Sequence, residues 1–358
     1  MPNPQEILDN YKKRINRSLQ SFFNKEKRES IKKLPFYKFF SGTLKEYNLR
    51  KWNKRIRGIL VILGYELLNG RKTDEILKIA CSSELIHSSF LIHDDIIDRD
   101  IFRRGSASLH YFFEKLHQKK FKKGESKHYG LSMGIMAGDI GYAQSYLSIL
   151  NSKFPEHLKN LASIRFHQMY FDTCYGQILD VINSYKEKVS EKEVLEVYKY
   201  KTAKYTLETP LHLGAIFAGA TKKQLEIISK FAIPLGITFQ IHDDILGMFG
   251  NKKTIGKPVT SDLEEGKQTL LMVNALHKAN HKQRKLLLKY FGHKNIKIAD
   301  LNKVRQIITE TEALKYCQNY AKVLVSNAKK TLKQIKKVNK NTLFLLNYLA
   351  DYIIKRDY

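Results

Sequence analysis

Three cysteines in 358 residues, an odd number spread over Cys81, Cys174 and Cys317, exclude a disulfide-built scaffold and a cysteine zinc centre. They read as reduced thiols. Only 7 prolines and 19 glycines rule out a collagen-like or loop-dominated chain. No apolar run approaches the roughly eighteen residues a membrane-spanning helix needs; the longest, Ile59 to Tyr65, stops at Glu66. The opening MPNPQEILDNYKKR lacks the apolar stretch of a secretory signal, so a cytoplasmic protein is expected. Acids are scarce too, 35 against 63 lysines and arginines, a net charge of +28. Such a field attracts nucleic acid, anionic lipid or phosphorylated substrates without choosing among them, and solvated lysine faces account for most of it. With no zinc-finger spacing, recognition-helix pattern or sheet of stacking aromatics, no nucleic-acid partner is expected.

What the chain does contain is apolar sequence, 43% of residues, recurring at spacings of three and four. This predicts an all-α fold, one helical domain over residues 1–358, with helical blocks near 54–69, 73–99, 130–150, 156–183, 190–218, 222–248, 262–278, 313–337 and 340–355. Between them fall breakers such as Asn69-Gly70, Gly105, Phe154-Pro155, Gly219 and the stretch Gly250 to Pro258. Residues 118–128 hold five lysines against one glutamate and are expected to form an exposed loop or helix end. Lys329, Lys330, Lys333, Lys336 and Lys337, set among Leu332, Ile335 and Val338, predict a helix with a basic polar side. Such a helix packs on its own core or contacts anionic membrane peripherally.

The informative feature is an internal echo. FLIHDDIID from Phe90 and FQIHDDILG from Phe239 agree at six of nine positions. Two copies far apart are one acidic device used twice, and suggest two walls of one site. Residues four apart on a helix point the same way, so Asp94 and Asp98 project together with Asp95 at their flank. Clustered carboxylates in apolar sequence repel one another and need cations. Oxygen ligands without cysteine select a hard ion, and magnesium, completing its shell with water and substrate phosphate, is the expected choice. Cations to face a phosphorylated substrate are Lys54, Arg55 and Arg57 in KRIRG, Arg103 and Arg104 in FRRG, Lys201 beside Thr202, and Lys257 and Lys267 in GKPVTSDLEEGK. GNKKTIGKP has the wrong glycine spacing and ending for a nucleotide phosphate loop.

In order along the chain, KRIRG, ELIH, HDDIIDRDIFRRG, GDI, GQILD, KTA, FQIHDDILGMFG and GKPVTSDLEEGK resemble the trans-prenyltransferases, the all-α isoprenoid diphosphate synthases. The resemblance implies a helical bundle around a central cavity and a magnesium-dependent enzyme that condenses isopentenyl diphosphate with an allylic diphosphate. It implies metal ligation by Asp94, Asp98 and Asp243, with Asp95 and Asp244 holding waters or neighbouring cations and Gln177 and Asp180 lining the region. It gives Arg103, Lys201 and Lys257 the allylic diphosphate, and Lys54, Arg57, His87 and Arg104 the isopentenyl diphosphate. Thr202, Gln240 and the ring of Phe239 would stabilise the allylic cation. Members of the family commonly form homodimers.

Three positions depart from the family pattern. Trp52-Asn53 replaces a glycine pair, Gly58 a proline, and Gly247 the last aspartate of the second acidic run. In helical projection Phe90 lies one turn from Asp94, a floor for a growing tail, and the small Ser89 beside it stands where makers of fifteen-carbon products carry an aromatic. A short-chain product, geranylgeranyl or farnesyl diphosphate, is therefore expected. The alternatives are a medium- or long-chain synthase, a noncatalytic prenyltransferase-like subunit, and a basic membrane- or nucleic-acid-binding protein whose acids are incidental.

Overall fold

The computed structural model describes residues 3–30, 35–50, 53–71, 73–103, 105–250 and 259–355. Trp52, Arg104 and Lys257 lie outside the described residues, as does the whole stretch 251–258. Helices succeed one another as the periodicity requires: α1 Pro4–Ser30, α2 Pro35–Asn48, α3 Ile56–Leu67, α4 Glu75–Ile97, α5 Leu109–Lys120, α6 Ser126–Leu150, α7 Glu156–Ser184, α8 Glu191–Val197, α9 Thr209–Phe217 and α10 Lys222–Phe249. After these come α11 Ser261–Glu264, α12 Leu270–Lys278, α13 His281–Tyr290, α14 Ile298–Glu310, α15 Ala313–Leu332 and α16 Lys340–Lys355. The all-α expectation holds, apart from a hairpin pairing β1 Phe102–Arg103 with β2 Ser106–Ala107 around Gly105, whose positive φ of 73° closes the turn.

Five helices escaped the sequence reading: α1, α2, α5, α13 and α14. The block expected at 262–278 is broken instead into α11 and α12, because Gly266 turns the chain at φ 67° and Thr269 starts a fresh helix by capping Met272 N–H. The block expected at 190–218 is continuous but not uniform. Between α8 and α9, Tyr198–Glu208 winds as a π-helix of 11 residues. Wider π turns of this kind mark places where neighbouring structure dictates the winding, and they recur at functional sites.

The chain divides into two compact units. Unit 1 comprises Met1–Ile164 and Leu213–Gly219; unit 2 comprises Arg165–His212 and Ala220–Tyr358. In unit 1, α4 packs along α6, α3 and α1 over a core that includes Ile15, Leu19, Val61, Leu63, Ile79 and Leu85. The α4–α6 seam is made of small residues. Ser82 and Ser145 exchange hydroxyl contacts at 3.2 Å, Ser89 Oγ donates to the Gly138 carbonyl at 2.7 Å, and a side-chain carbon on Gly141 would come within 3.2 Å of Ser89 Cβ. In unit 2, α10 packs against the π-helical segment, α15 and α16, over a core that includes Ile241, Met248, Leu271, Ile308 and Cys317. Leu332 and Ile335 are buried, so the basic end of α15 seats on its own core.

Candidate active site

The first acidic run ends α4 in unit 1. Asp98 caps the helix, its N–H bonded to the Asp94 carbonyl at 2.8 Å, and the chain turns at Arg99 (φ 60°) into the hairpin that carries Arg103. That hairpin folds back on the helix end. Arg103 Nε donates to Asp95 Oδ1 at 2.5 Å, and its Nη2 reaches Asp94 at 3.2 Å and Asp100 at 3.5 Å. Asp95 is fully buried, and among the described residues its Oδ2 has no hydrogen-bond partner. Burial pushes the Asp95 carboxyl up to about 7 against the pull of Arg103, with Asp94 and Asp100 adding repulsion. Burial also works against the Arg103 charge, but Asp95 and Asp94 outweigh it and hold the guanidinium more firmly protonated than usual.

The basic loop before α3 belongs to the same unit. Arg55 takes a left-handed conformation (φ 60°) and is turned inward. It donates to Asn16 Oδ1 at 2.8 Å and the Asn48 carbonyl at 2.6 Å, and pairs with Glu84 of α4 at 3.4 Å. Glu84 accepts the Gly58 N–H at 2.8 Å with its other oxygen. This explains a departure from the family pattern: a proline at 58 has no N–H to give. Of the three cations read from KRIRG, Arg55 is thus structural, Lys54 is exposed and Arg57 is buried in the first turn of α3. His87 is buried one turn beyond Glu84 on α4, which packs on α3.

In unit 2 the second acidic run lies near the end of α10, and its two aspartates differ. Asp243 is half-buried. Asp244 is buried and spent on the protein: Tyr198 Oη donates to Oδ2, and Gln240 Nε2 donates to Oδ1 at 2.8 Å. Burial pushes Asp244 up to about 7, opposed by those two donors and reinforced by Asp262 and Asp243. Gln240 in turn accepts from Thr202 Oγ1 at 2.8 Å, which ties the π-helical segment to α10. Lys201 Nζ pairs with Asp180 at 2.6 Å, Gln177 is half-buried on α7, and Lys267 pairs with Glu265 at 2.9 Å. Gly247 has a reason as well: a side chain there would collide with the carboxylate of Asp262.

Ser89 is fully buried, its Oγ turned to the Gly138 carbonyl of α6, while Phe90 is half-buried. Among the described residues no three His, Cys, Asp or Glu side chains converge as a ready ligand set. Sequence reasoning missed Tyr198, Glu84, Asp100 and Asp262. Only Glu84 carried a signal, as an acid at an apolar helix's heart, which a buried cation must answer.

Over 98% of this chain and 99% of the other, the fold is similar, with a TM-score of 0.91 and 27% identity, to a crystal structure of the geranylgeranyl pyrophosphate synthase of Corynebacterium glutamicum complexed with isoprenyl diphosphate and magnesium. The architecture is that of the isoprenyl diphosphate synthases. The polyprenyl synthetase family model matches residues 42–308, and the chain belongs to that family. It is 31% identical to the geranylgeranyl diphosphate synthase of Saccharolobus solfataricus, covering 98% of this chain and 96% of that one. It is 32% identical to the short chain isoprenyl diphosphate synthase of Methanocaldococcus jannaschii, covering 85% and 86%.

Proposed function

We propose that the chain is a single-domain, magnesium-dependent synthase that condenses isopentenyl diphosphate with an allylic diphosphate to make a short-chain product, geranylgeranyl or farnesyl diphosphate. The observation that carries this reading is the buried helix end at Asp94 and Asp95, where carboxylates gather about Arg103 and Asp95 Oδ2 lacks a partner among the described residues. An all-oxygen donor set with a buried, cation-seeking carboxylate fits a hard divalent ion. Asp94, Asp98 and Asp243 would hold magnesium, with Asp95 beside them. Asp244, already engaged by Tyr198 and Gln240, serves by holding α10 in place. When bound, the metal supplies positive charge against the departing diphosphate.

The chain's own residues supply the rest. Arg103 and Lys201, each now paired with carboxylates, exchange those partners for diphosphate oxygens of the allylic substrate, with Lys257 from the segment before α11. Lys54, Arg57, His87 and Arg104 take isopentenyl diphosphate, and Lys267 adds charge. The buried Thr202 hydroxyl and the Gln240 amide present oxygen dipoles, and Phe239 a ring face, to the allylic cation. The isopentenyl double bond attacks that cation, and the proton lost from the coupled product passes to released diphosphate. No protein nucleophile takes part.

No described helix is long and apolar enough to cross a membrane, in keeping with work in the cytoplasm. Along α7 and just past its end, Leu161, Ile164, Phe171, Ile178 and Tyr185 are exposed at spacings of three and seven, an apolar stripe that suits a homodimer. The test is incubation of the pure chain with isopentenyl diphosphate, each allylic primer and magnesium, followed by product masses. Twenty- or fifteen-carbon diphosphates, lost on chelation, are expected. Absence of turnover by the pure chain would overturn the reading in favour of a noncatalytic subunit, and longer products would overturn the short-chain assignment.

A further inference from the structure

Unit 1 carries an exposed aromatic run that the chemistry at Asp94 and Arg103 does not use. Phe102 of β1, 50% exposed, meets Tyr111 of α5 edge to face at 6.1 Å. Phe112, next along α5, stacks on Phe39 of α2 at 6.5 Å, and Phe39 lies 6.1 Å from Phe36. Phe36 is 45% and Phe39 42% exposed. Rings gathered on a surface in this way signal an apolar partner.

Lysines frame the run. Lys38, between Phe36 and Phe39 in sequence, is exposed, and the Lys115 ammonium sits 5.0 Å over the Tyr111 ring. Phe112, Lys115 and Lys119 follow at helical spacing on one side of α5. Beyond them Lys119, Lys120, Lys122 and Lys123 are all exposed around the helix end, as is Phe121. Acids nearby are few: Glu114 and Glu125 are the carboxylates between Tyr111 and Tyr129.

We propose that this α2–α5–hairpin face docks on an anionic lipid surface. Phenylalanines sink to the headgroup boundary while lysines keep their ammonium groups among lipid phosphates. Charge picks this occupant over a second copy of the chain, because a two-fold contact through the face would set lysines against lysines. It is favoured over RNA because the rings are consumed in stacking on one another and offer no separated platforms for bases. Phe102 adjoins Arg103, so docking brings the diphosphate-binding hairpin to the headgroups, where a product with a long apolar tail can leave. That purpose rests on the proposed synthase activity; the docking itself does not.

The experiment is co-sedimentation of the full chain, without substrates, with vesicles of phosphatidylcholine alone or mixed with phosphatidylglycerol. Wild type is expected to bind the anionic vesicles at least about tenfold better than the neutral ones, and both Phe39→Ser/Phe112→Ser and Lys119→Glu/Lys120→Glu to lose about tenfold of that binding. Turnover of soluble substrates should stay within about twofold of wild type in the lysine variant, whose changes lie at the solvent-exposed end of α5. No preference for anionic vesicles, or unchanged binding by the lysine variant, overturns the proposal. So does tighter, Lys119- and Lys120-dependent binding to single-stranded RNA, or conversion of a dimer to a monomer by the phenylalanine variant with vesicle binding intact.

Discussion

Tyr198 donates its phenolic O–H to Asp244 and accepts the Leu270 N–H at 2.8 Å, so one buried oxygen joins the π-helical segment, α10 and the start of α12. Burial, with the Asp244 charge beside it, pushes the phenol well above its ordinary value, so it stays a donor. Tyr198→Phe strands both partners. The expected cost is about 3 kcal/mol of stability, read from urea unfolding midpoints, with a fall in kcat as Asp243 loses its fixed neighbour. An unchanged midpoint would show that the bond is dispensable.

The Arg55–Glu84 pair, with side chains 2% and 3% exposed, is the unit 1 counterpart. Glu84→Ala leaves a buried guanidinium uncompensated and should cost about 3–5 kcal/mol. The milder Glu84→Gln should fold, raise KM for isopentenyl diphosphate and leave KM for the allylic substrate unchanged. Gly58→Pro removes the N–H that Glu84 accepts and crowds Ile15 Cδ1, which already lies 2.9 Å from where a side-chain carbon would sit. It should cost about 1–3 kcal/mol in this chain, although proline fits the family pattern. Equal affinities in all three variants would show that the basic loop needs no clamp.

His212 is buried and bonded to the Leu225 carbonyl at 3.0 Å; burial first and Arg165 second lower its pKa to about 4 from the ordinary 6.5. A depressed folded value means that stability is fully present above 6.5 and is lost as pH falls toward 4. The loss across that window should be about 3 kcal/mol. Urea midpoints measured over a pH series should fall steeply in wild type and flatten in His212→Gln. A wild-type curve already flat between pH 7 and 4 would contradict the assignment.

Product length should answer to residue 90 and not to residue 89. Phe90→Ala is expected to shift product masses upward by one or more isoprene units. Ser89→Phe is expected to unseat α4 from α6, at a cost of about 1–3 kcal/mol or more, without shortening the product of whatever folds. A stable Ser89→Phe enzyme with shorter products would restore the residue to chain-length control.

The helices bearing the acidic echo were legible because their apolar periodicity is long; α10 also starts on a capping box at Thr221. The amphipathic α1 and α2 were not, since lysines and asparagines dilute their pattern. Nor was the π-helical winding, whose cause lies in neighbours: side chains on Gly176 or Gly236 would collide with the backbone of Lys201 or Ala203. The acids themselves were found, but spacing could not separate Asp243 from Asp244. What separates them is a tyrosine distant in sequence. Arg103 read as a substrate ligand, whereas its pairing with Asp95 depends on a hairpin that two-residue strands do not announce.

The seam of serines and glycines between α4 and α6 leaves this wall no slack: residues 138 and 141 are already glycines, so bulk gained at residue 89 meets no side chain that could be trimmed to receive it. Under the proposed synthase reading, the single-step route to a new product length runs through residue 90.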